Sequence, residues 1–466
     1  MTTEKSAPAQ AATPRTLKQR AMSASVWVLS GSVASGVIRL LTNLVLTRLL
    51  FPEAFGLMLI ATTVIFIVIM LSDLGIHQSI IRGEHGDDPL FLDTAWCFQI
   101  ARGWVLWIAA SLLALGLYIA THAGWLPEGS TYADPALPWV IVVSSFGAVI
   151  QGFQATDLAT ASRRFIVKPV VLMEISTQLL GVAVIVVLAW WMRSVWALVI
   201  SGLVTTLAHT VLSHVVLRLH RNRLRIDRHF LIELFSFGKW LALSSAVSVF
   251  VTSGPGLILG ALVGPQVLGL FSIAFNLASA FDAALYSLFS RVVLPAMSEV
   301  NRDQPERIAQ TLHRLRWRVD PAMLLASGAL FALAPAIIEF LYDDRYLEAG
   351  PMLQVLALAL ALVRFSVAQQ VYLALNEPRY QVVLNVARAV SLYITVPVAF
   401  HFYGLSGAMM AIALREIVSV PLIFWFNSKH QLNNFRLELV WWLFWPLGWL
   451  SGAAALSVKT WIEGML

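Results

Sequence analysis

The sequence predicts an all-α, polytopic membrane protein of about thirteen transmembrane helices, arranged as two parallel six-helix lobes plus one extra C-terminal helix. Three observations carry that prediction: composition, the alternation of basic residues, and an internal repeat. Of 466 residues, 58% are hydrophobic and 12% charged, with a mean hydropathy of +0.76, whereas soluble domains carry about 25% charged residues. A transmembrane β-barrel is excluded, because barrels alternate apolar and polar positions and stretches such as 142–150 and 182–191 are continuously apolar.

Residues 1–23 are polar and hold Lys5, Arg15, Lys18 and Arg20. No short apolar core with a small-residue cleavage site follows them, so they read as a cytoplasmic tail. Six apolar segments, 24–47, 54–80, 93–121, 136–160, 169–192 and 195–217, then form an N-lobe over 24–219. A basic cytoplasmic linker, 220–235, leads to a C-lobe over 236–427, with segments 236–263, 266–290, 319–342, 351–375, 381–403 and 405–427. The stretch 439–463 is the additional span; Pro446 interrupts it, and a peripheral last helix is the alternative.

Basic residues fall at alternate connections: the tail, Arg82, 163–168, 218–228, 291–318, then Arg379, Lys429 and Arg436. The opposite ends hold Arg48, Arg193, Arg345 and Lys459. Because short cytoplasmic loops collect Lys and Arg, this pattern sets the N-terminus in the cytoplasm. The two long basic connections, 218–235 and 291–318, predict short interfacial helices against lipid headgroups. The pI near 9.6 therefore reflects topology and not a nucleic-acid-binding face.

The repeat lays 44–61 (LVLTRLLFPEAFGLMLIA) on 257–274 (LILGALVGPQVLGLFSIA) without gaps, with Pro52 matching Pro265, Gly56 matching Gly269 and Leu57 matching Leu270. A second echo pairs Arg164-Phe165 with Arg379-Tyr380. An even number of spans separates the copies, so the halves run in the same direction about an axis along the membrane normal. Lobes so related place a substrate site between them and expose it to each side in turn, which points to a transporter.

Charges inside the spans are expensive, so those present face a cavity or a partner. Arg39, Arg102, Arg364, Arg388 and Arg415 lie deep in spans one, three, ten, eleven and twelve, and deep acidic residues are Asp73, Asp282 and Glu416. The excess predicts a cationic cavity in which guanidinium forks hold an anionic substrate. Asp73 and Asp282 either carry a coupling ion or hold an arginine. Gly254-Pro255-Gly256 breaks span seven and is the hinge candidate. Cys97, the single cysteine, and ten scattered histidines form no metal-ligand pattern, so neither a metal nor a cofactor is expected.

The runs TRLLFPEAFGL (47–57), LSDLGIHQSII (71–81), SRRF (162–165), GPQVLGLFSIAFNLA (264–278) and SRVVLPAMSEV (290–300) together resemble the polysaccharide-transporter family of Wzx-type lipid-linked oligosaccharide flippases. That family sits in a superfamily with multidrug/cation antiporters and the lipid II flippase. The resemblance covers most of 20–427. It implies an inner-membrane bundle that moves an undecaprenyl-diphosphate-linked glycan outward, in contact with membrane lipids and with polysaccharide polymerase machinery. Two features depart from it: Pro255, Gly256 and Ala261 stand where many relatives carry charge, and a fourteenth span is missing. A cation-coupled drug antiporter of the same fold is the first rival, disfavoured by the arginine excess. A polyprenyl-dependent polymerase or ligase is the second; such enzymes need long aqueous loops, and 122–135 and 342–351 are the longest on the outer side.

Overall fold

The computed structural model describes residues 17–72, 75–375 and 377–463. The N-lobe comprises α1 (Leu17–Leu49), α2 (Pro52–Leu71), α3 (Ile76–Arg82), α4 (Pro89–His122), α5 (Leu137–Gly152), α6 (Asp157–Arg163), α7 (Val167–Met192) and α8 (Val195–Val216). The C-lobe comprises α9 (Arg228–Leu262), α10 (Pro265–Asp303), α11 (Ile308–Leu341), α12 (Ala349–Ala368), α13 (Gln370–Ala374), α14 (Pro378–Ala413), α15 (Ser419–Lys429), α16 (Phe435–Trp442) and α17 (Phe444–Glu463).

Among the described residues, nine helices are long and apolar enough to cross a membrane, or ten if the bent pair Leu137–Gly152 and Asp157–Arg163 is one span. The shorter apolar helices Val249–Leu262 and Ala349–Phe365 occupy expected spans seven and ten. Expected spans eleven and twelve run on as α14, kinked at Gly404, whose φ of 62° and ψ of −150° leave the helical region. The second of the two continues through a 3-10 turn, Arg415–Val418, into α15. The chain is thus a multi-pass membrane protein whose helices include several broken ones, a form tolerated where protein or a cavity satisfies the freed backbone.

The repeat has a physical meaning in the packing. Pro52 and Pro265 each open a helix, α2 and α10, where the missing N–H costs nothing. A Cβ on Gly56 would strike the Pro265 carbonyl, and a Cβ on Gly269 would strike the Pro52 carbonyl. The two copies meet reciprocally, as a two-fold axis requires, and glycine allows the two helices to cross backbone to backbone. One hydrophobic core runs through this crossing, from Leu50 and Ile60 to Leu259, Leu268 and Ile273, all buried.

At this end the lobes are also stitched by hydrogen bonds. Thr131 N and Oγ1 both donate to the Val263 carbonyl (2.9 and 2.8 Å), and Tyr132 Oη donates to Leu257 O (3.0 Å). Arg345 Nη2 donates to Thr47 O and Arg48 O (3.0 and 3.1 Å), and Tyr346 Oη to Leu50 O (2.9 Å). At the opposite end the start of α9 links the halves: His85 faces Glu233 at 3.5 Å, and Phe91 packs edge-on against Phe230.

Three expectations need correction. Of the connection 218–235, only the part from Arg228 is helical, as the start of α9, and no separate interfacial helix forms. The preceding backbone is irregular and held against the N-lobe, because Asp157 accepts from Leu219 N and His220 N, Asp93 from Arg223 N and His220 Nε2, and Thr94 Oγ1 from Asp227 N. The connection 291–318 is no separate interfacial helix either, since α10 runs on to Asp303 and α11 begins at Ile308. Gly254-Pro255-Gly256 does not break span seven: α9 is helical through Pro255. These glycines serve close approach, with a Cβ at Gly254 meeting Leu392 at 2.5 Å and one at Gly256 meeting Leu59 at 3.6 Å. The last helix joins the C-lobe by the same device, since Gly448 and Gly452 of α17 lie against the backbone of α11 at Leu325 and Ala329, and Gly328 against Trp445.

Candidate functional site: the arginines and the space between the lobes

The first helix shows how the sequence sorts its faces. Gly31 and Ser35 lie against α7, where a Cβ on Gly31 would meet Val171 and where Gln178 Nε2 donates to Ser35 O (3.1 Å). Val33, Val37, Leu40, Leu41 and Val45 are exposed and apolar, as a lipid-facing surface must be. Between these faces runs a polar stripe, Ser32, Gly36, Arg39 and Asn43, at i, i+4, i+7 and i+11. Arg39 is exposed on that stripe, the edge of α1 that neither packs on α7 nor carries the apolar surface.

Arg102 on α4 is half-buried. Its Nη2 donates to Ile69 O (3.0 Å) and its Nε to Ser72 Oγ (3.3 Å), at the C-terminal end of α2. A guanidinium here satisfies carbonyls left over by a helix terminus inside the membrane. Asp73 lies outside the described residues.

The remaining three arginines belong to the C-lobe. Arg364 is 1% exposed and sits in a four-charge cluster. Its Nη1 is 3.0 Å from Glu438 and 3.4 Å from Asp320, while Arg316 reaches Asp320 and Glu438, both at 2.6 Å. Phe365 and Trp442 lie under Arg364, and Trp441 under Arg316. Two cations thus meet two carboxylates. An apolar cavity of about 470 Å³ borders Arg364 and Glu438, walled by Leu358, Phe365, Val420, Phe424 and Trp445. Arg388, 7% exposed, pairs with Glu416 at 2.7 Å and donates to Asn385 Oδ1 (3.2 Å). Arg415 stands in the 3-10 turn beside Glu416, and Asp282 on α10 lies within electrostatic reach of both.

The expected ring of five lining cations is therefore corrected for Arg364 and Arg388. Both are buried within the C-lobe and neutralised by carboxylates, because an unpaired guanidinium there is more costly than one held by good geometry. Sequence reasoning missed Arg316, Asp320 and Glu438. The i, i+4 spacing of Arg316 and Asp320 was a signal; the contribution of Glu438, from the far end of the chain, left none.

The SRRF run also acquires a role. Arg163 Nη1 donates to the carbonyls of Ile80, Ile81 and Gly83 at 2.8–3.0 Å, capping α3, and its Nε pairs with Asp87. Arg164 pairs with the same carboxylate at 2.7 Å. The hydrogen bond from Arg164 and the two nearby positive charges hold the Asp87 carboxyl below the usual carboxylate range.

Comparisons agree on both lineage and fold. Residues 45–349 match the family described as polysaccharide biosynthesis protein. The chain is similar to the lipopolysaccharide biosynthesis protein WzxC of Escherichia coli (strain K12), 23% identical over 73% of this chain and 67% of that one. It is also similar to the succinoglycan biosynthesis transport protein ExoT of Rhizobium meliloti (strain 1021), 23% identical over 72% of this chain and 65% of that one. The alignments thus span about two thirds of those relatives' own length. Among solved structures, the lipid II flippase MurJ in an inward closed conformation superposes with a TM-score of 0.64 at 14% identity, covering 93% of this chain and 99% of that one.

Proposed function

The chain belongs to the polysaccharide biosynthesis protein family, and from that premise we propose that it is a flippase for lipid-linked oligosaccharides in the bacterial inner membrane. Its cargo is an undecaprenyl-diphosphate-linked glycan, moved from the cytoplasmic to the periplasmic leaflet by alternating access and handed to polymerase machinery. The lobes are 24–219 and 236–427, joined by the linker 220–235, with 439–463 appended and the N-terminus in the cytoplasm.

The observation that carries this reading is the reciprocal crossing of the two repeats, which joins the lobes backbone to backbone at one end. Hydrogen bonds and the Gly56–Gly269 crossing join them at the end assigned to the periplasm, while the basic end is bridged at the start of α9. In this reading a cleft between the lobes opens to the cytoplasm, where lipid-linked precursors carry their diphosphate. Arg39, on the polar edge of α1, meets the anion first. Arg102 and Arg415 belong to the same proposed anion-binding set. A diphosphate in a low-dielectric cleft is held by such charge-assisted contacts, and the isoprenyl chain stays in lipid. Transport of this kind requires no bond making, so no catalytic residue is assigned.

Depletion of the protein in its native cell is expected to raise the inner-leaflet pool of diphosphate-linked oligosaccharide in lipid extracts. Loss of that intermediate's synthesis would point to an enzyme instead. In cells carrying Arg39→Ala, glycan export is expected to fall by about ten- to a hundredfold with protein level unchanged, the weight of one charge-assisted contact. Export equal to wild type in Arg39→Ala would remove this residue from the site.

A further inference from the structure

We propose that a polar cavity within the N-lobe is a saccharide site that seats one sugar residue of the cargo, an assignment that rests on the glycan-transport reading. The cavity holds about 500 Å³, within the roughly 300–1,000 Å³ typical of small-molecule sites. It lies toward the basic end of the lobe, beside the start of α3 and the 61° bend between α5 and α6. Broken helices expose backbone groups that membranes tolerate beside a lined cavity. Gln99 answers part of this need, since its Nε2 donates to the carbonyls of Gln151, Gly152 and Gln154 at 3.1–3.2 Å.

The rest of the wall is what identifies the ligand. Gln151 and Glu174 line the cavity with exposed side chains, alongside Thr205 and Thr206, and Gln154 meets His209 at 2.5 Å. No lysine or arginine is among the described lining residues, and one carboxylate is. A diphosphate would therefore find repulsion here, and an isoprenyl chain would leave amides and hydroxyls without partners. A sugar ring presents hydroxyls that both donate and accept, matching amide, hydroxyl and carboxylate groups set around one space. Arg102 stands one helical turn from Gln99 on α4, so the guanidinium that suits the phosphate side neighbours the pocket that suits the sugar.

The test uses the full chain in lipid nanodiscs with three probes: methyl α-glucoside, methyl α-galactoside and N-acetylglucosamine. Saturation-transfer NMR is expected to show contact with at least one. The signal is expected to drop about fivefold or more in Gln151→Leu and in the near-isosteric Glu174→Gln, the weight of one hydrogen bond. No transfer from any probe, or equal transfer in both variants, overturns the site. So does Glu174→Gln altering only the pH dependence of export while the sugar signal persists, which would mark a proton site. In cells, wild-type export by both variants overturns the pocket and leaves the flippase reading intact. An unchanged lipid-linked pool on depletion of the wild-type protein overturns that reading itself.

Discussion

A guanidinium buried to 1% exposure, as Arg364 is, must lose several kcal/mol of hydration, and its carboxylate partners must return it. The cluster with Arg316, Asp320 and Glu438 does so by geometry, at 2.6–3.4 Å. Removing one member leaves an uncompensated charge. Arg364→Leu is therefore expected to destabilise the C-lobe by about 3–5 kcal/mol, whereas Arg364→Leu with Glu438→Leu leaves the Arg316–Asp320 pair and recovers most of the loss. Thermal melts of the purified protein check this; a double variant as unstable as the sum of the singles would mean that the charges do not interact. Arg39 behaves differently because it is exposed, and its place was legible from helical period alone. Arg364 was not legible, since nothing local to it announces Glu438, 74 positions on.

At the scale of elements, the Pro-x3-Gly spacing was visible as a repeat, but its reason is a contact between the copies that no one-dimensional pattern contains. Gly269→Ala is expected to be poorly tolerated, because the new Cβ meets the Pro52 backbone, which cannot rotate away. Gly116→Ala, in α4 with nothing within 4 Å, is the matched control and is expected to be neutral or stabilising by up to about 1 kcal/mol. Melting temperature and export level distinguish the two; equal behaviour would deny that the crossing is tight. Hydropathy anticipated the nine long apolar helices among the described residues, because each carries a long apolar stretch, whereas it misplaced the character of 218–235 and 291–318. There the outcome depends on tertiary partners: carboxylates of the N-lobe hold the non-helical part of the first against that lobe, and helix continuity absorbs most of the second. The expected break at Pro255 is absent from α9, which stays helical through it while Leu392 and Leu59 lie against the flanking glycines.

For the molecule as a whole, alternating access demands that the sealed end open. The seal combines hydrogen bonds onto main-chain carbonyls, Thr47, Leu50, Leu257 and Val263, with one glycine crossing and the hydrophobic core that runs through it. Main-chain acceptors at helix ends are suited to a reversible latch, because each carbonyl regains water when the lobes part. Each bond so exchanged is worth only about 0.5–1.5 kcal/mol net. A covalent link across the same seam should therefore abolish transport without touching any substrate contact. Thr131 N and Val263 O are 2.9 Å apart, close enough for cysteines at these positions to meet the disulfide span of about 4.4–6.8 Å between Cα atoms. In a Cys97→Ser background, which removes the single native thiol, Thr131→Cys with Val263→Cys is expected to export glycan when reduced and to stop when oxidised. Each single variant should be insensitive to oxidant. Undiminished export by the oxidised double variant, with the crosslink verified by mass, would show that the lobes do not separate at this seam, and the route between them would have to lie elsewhere.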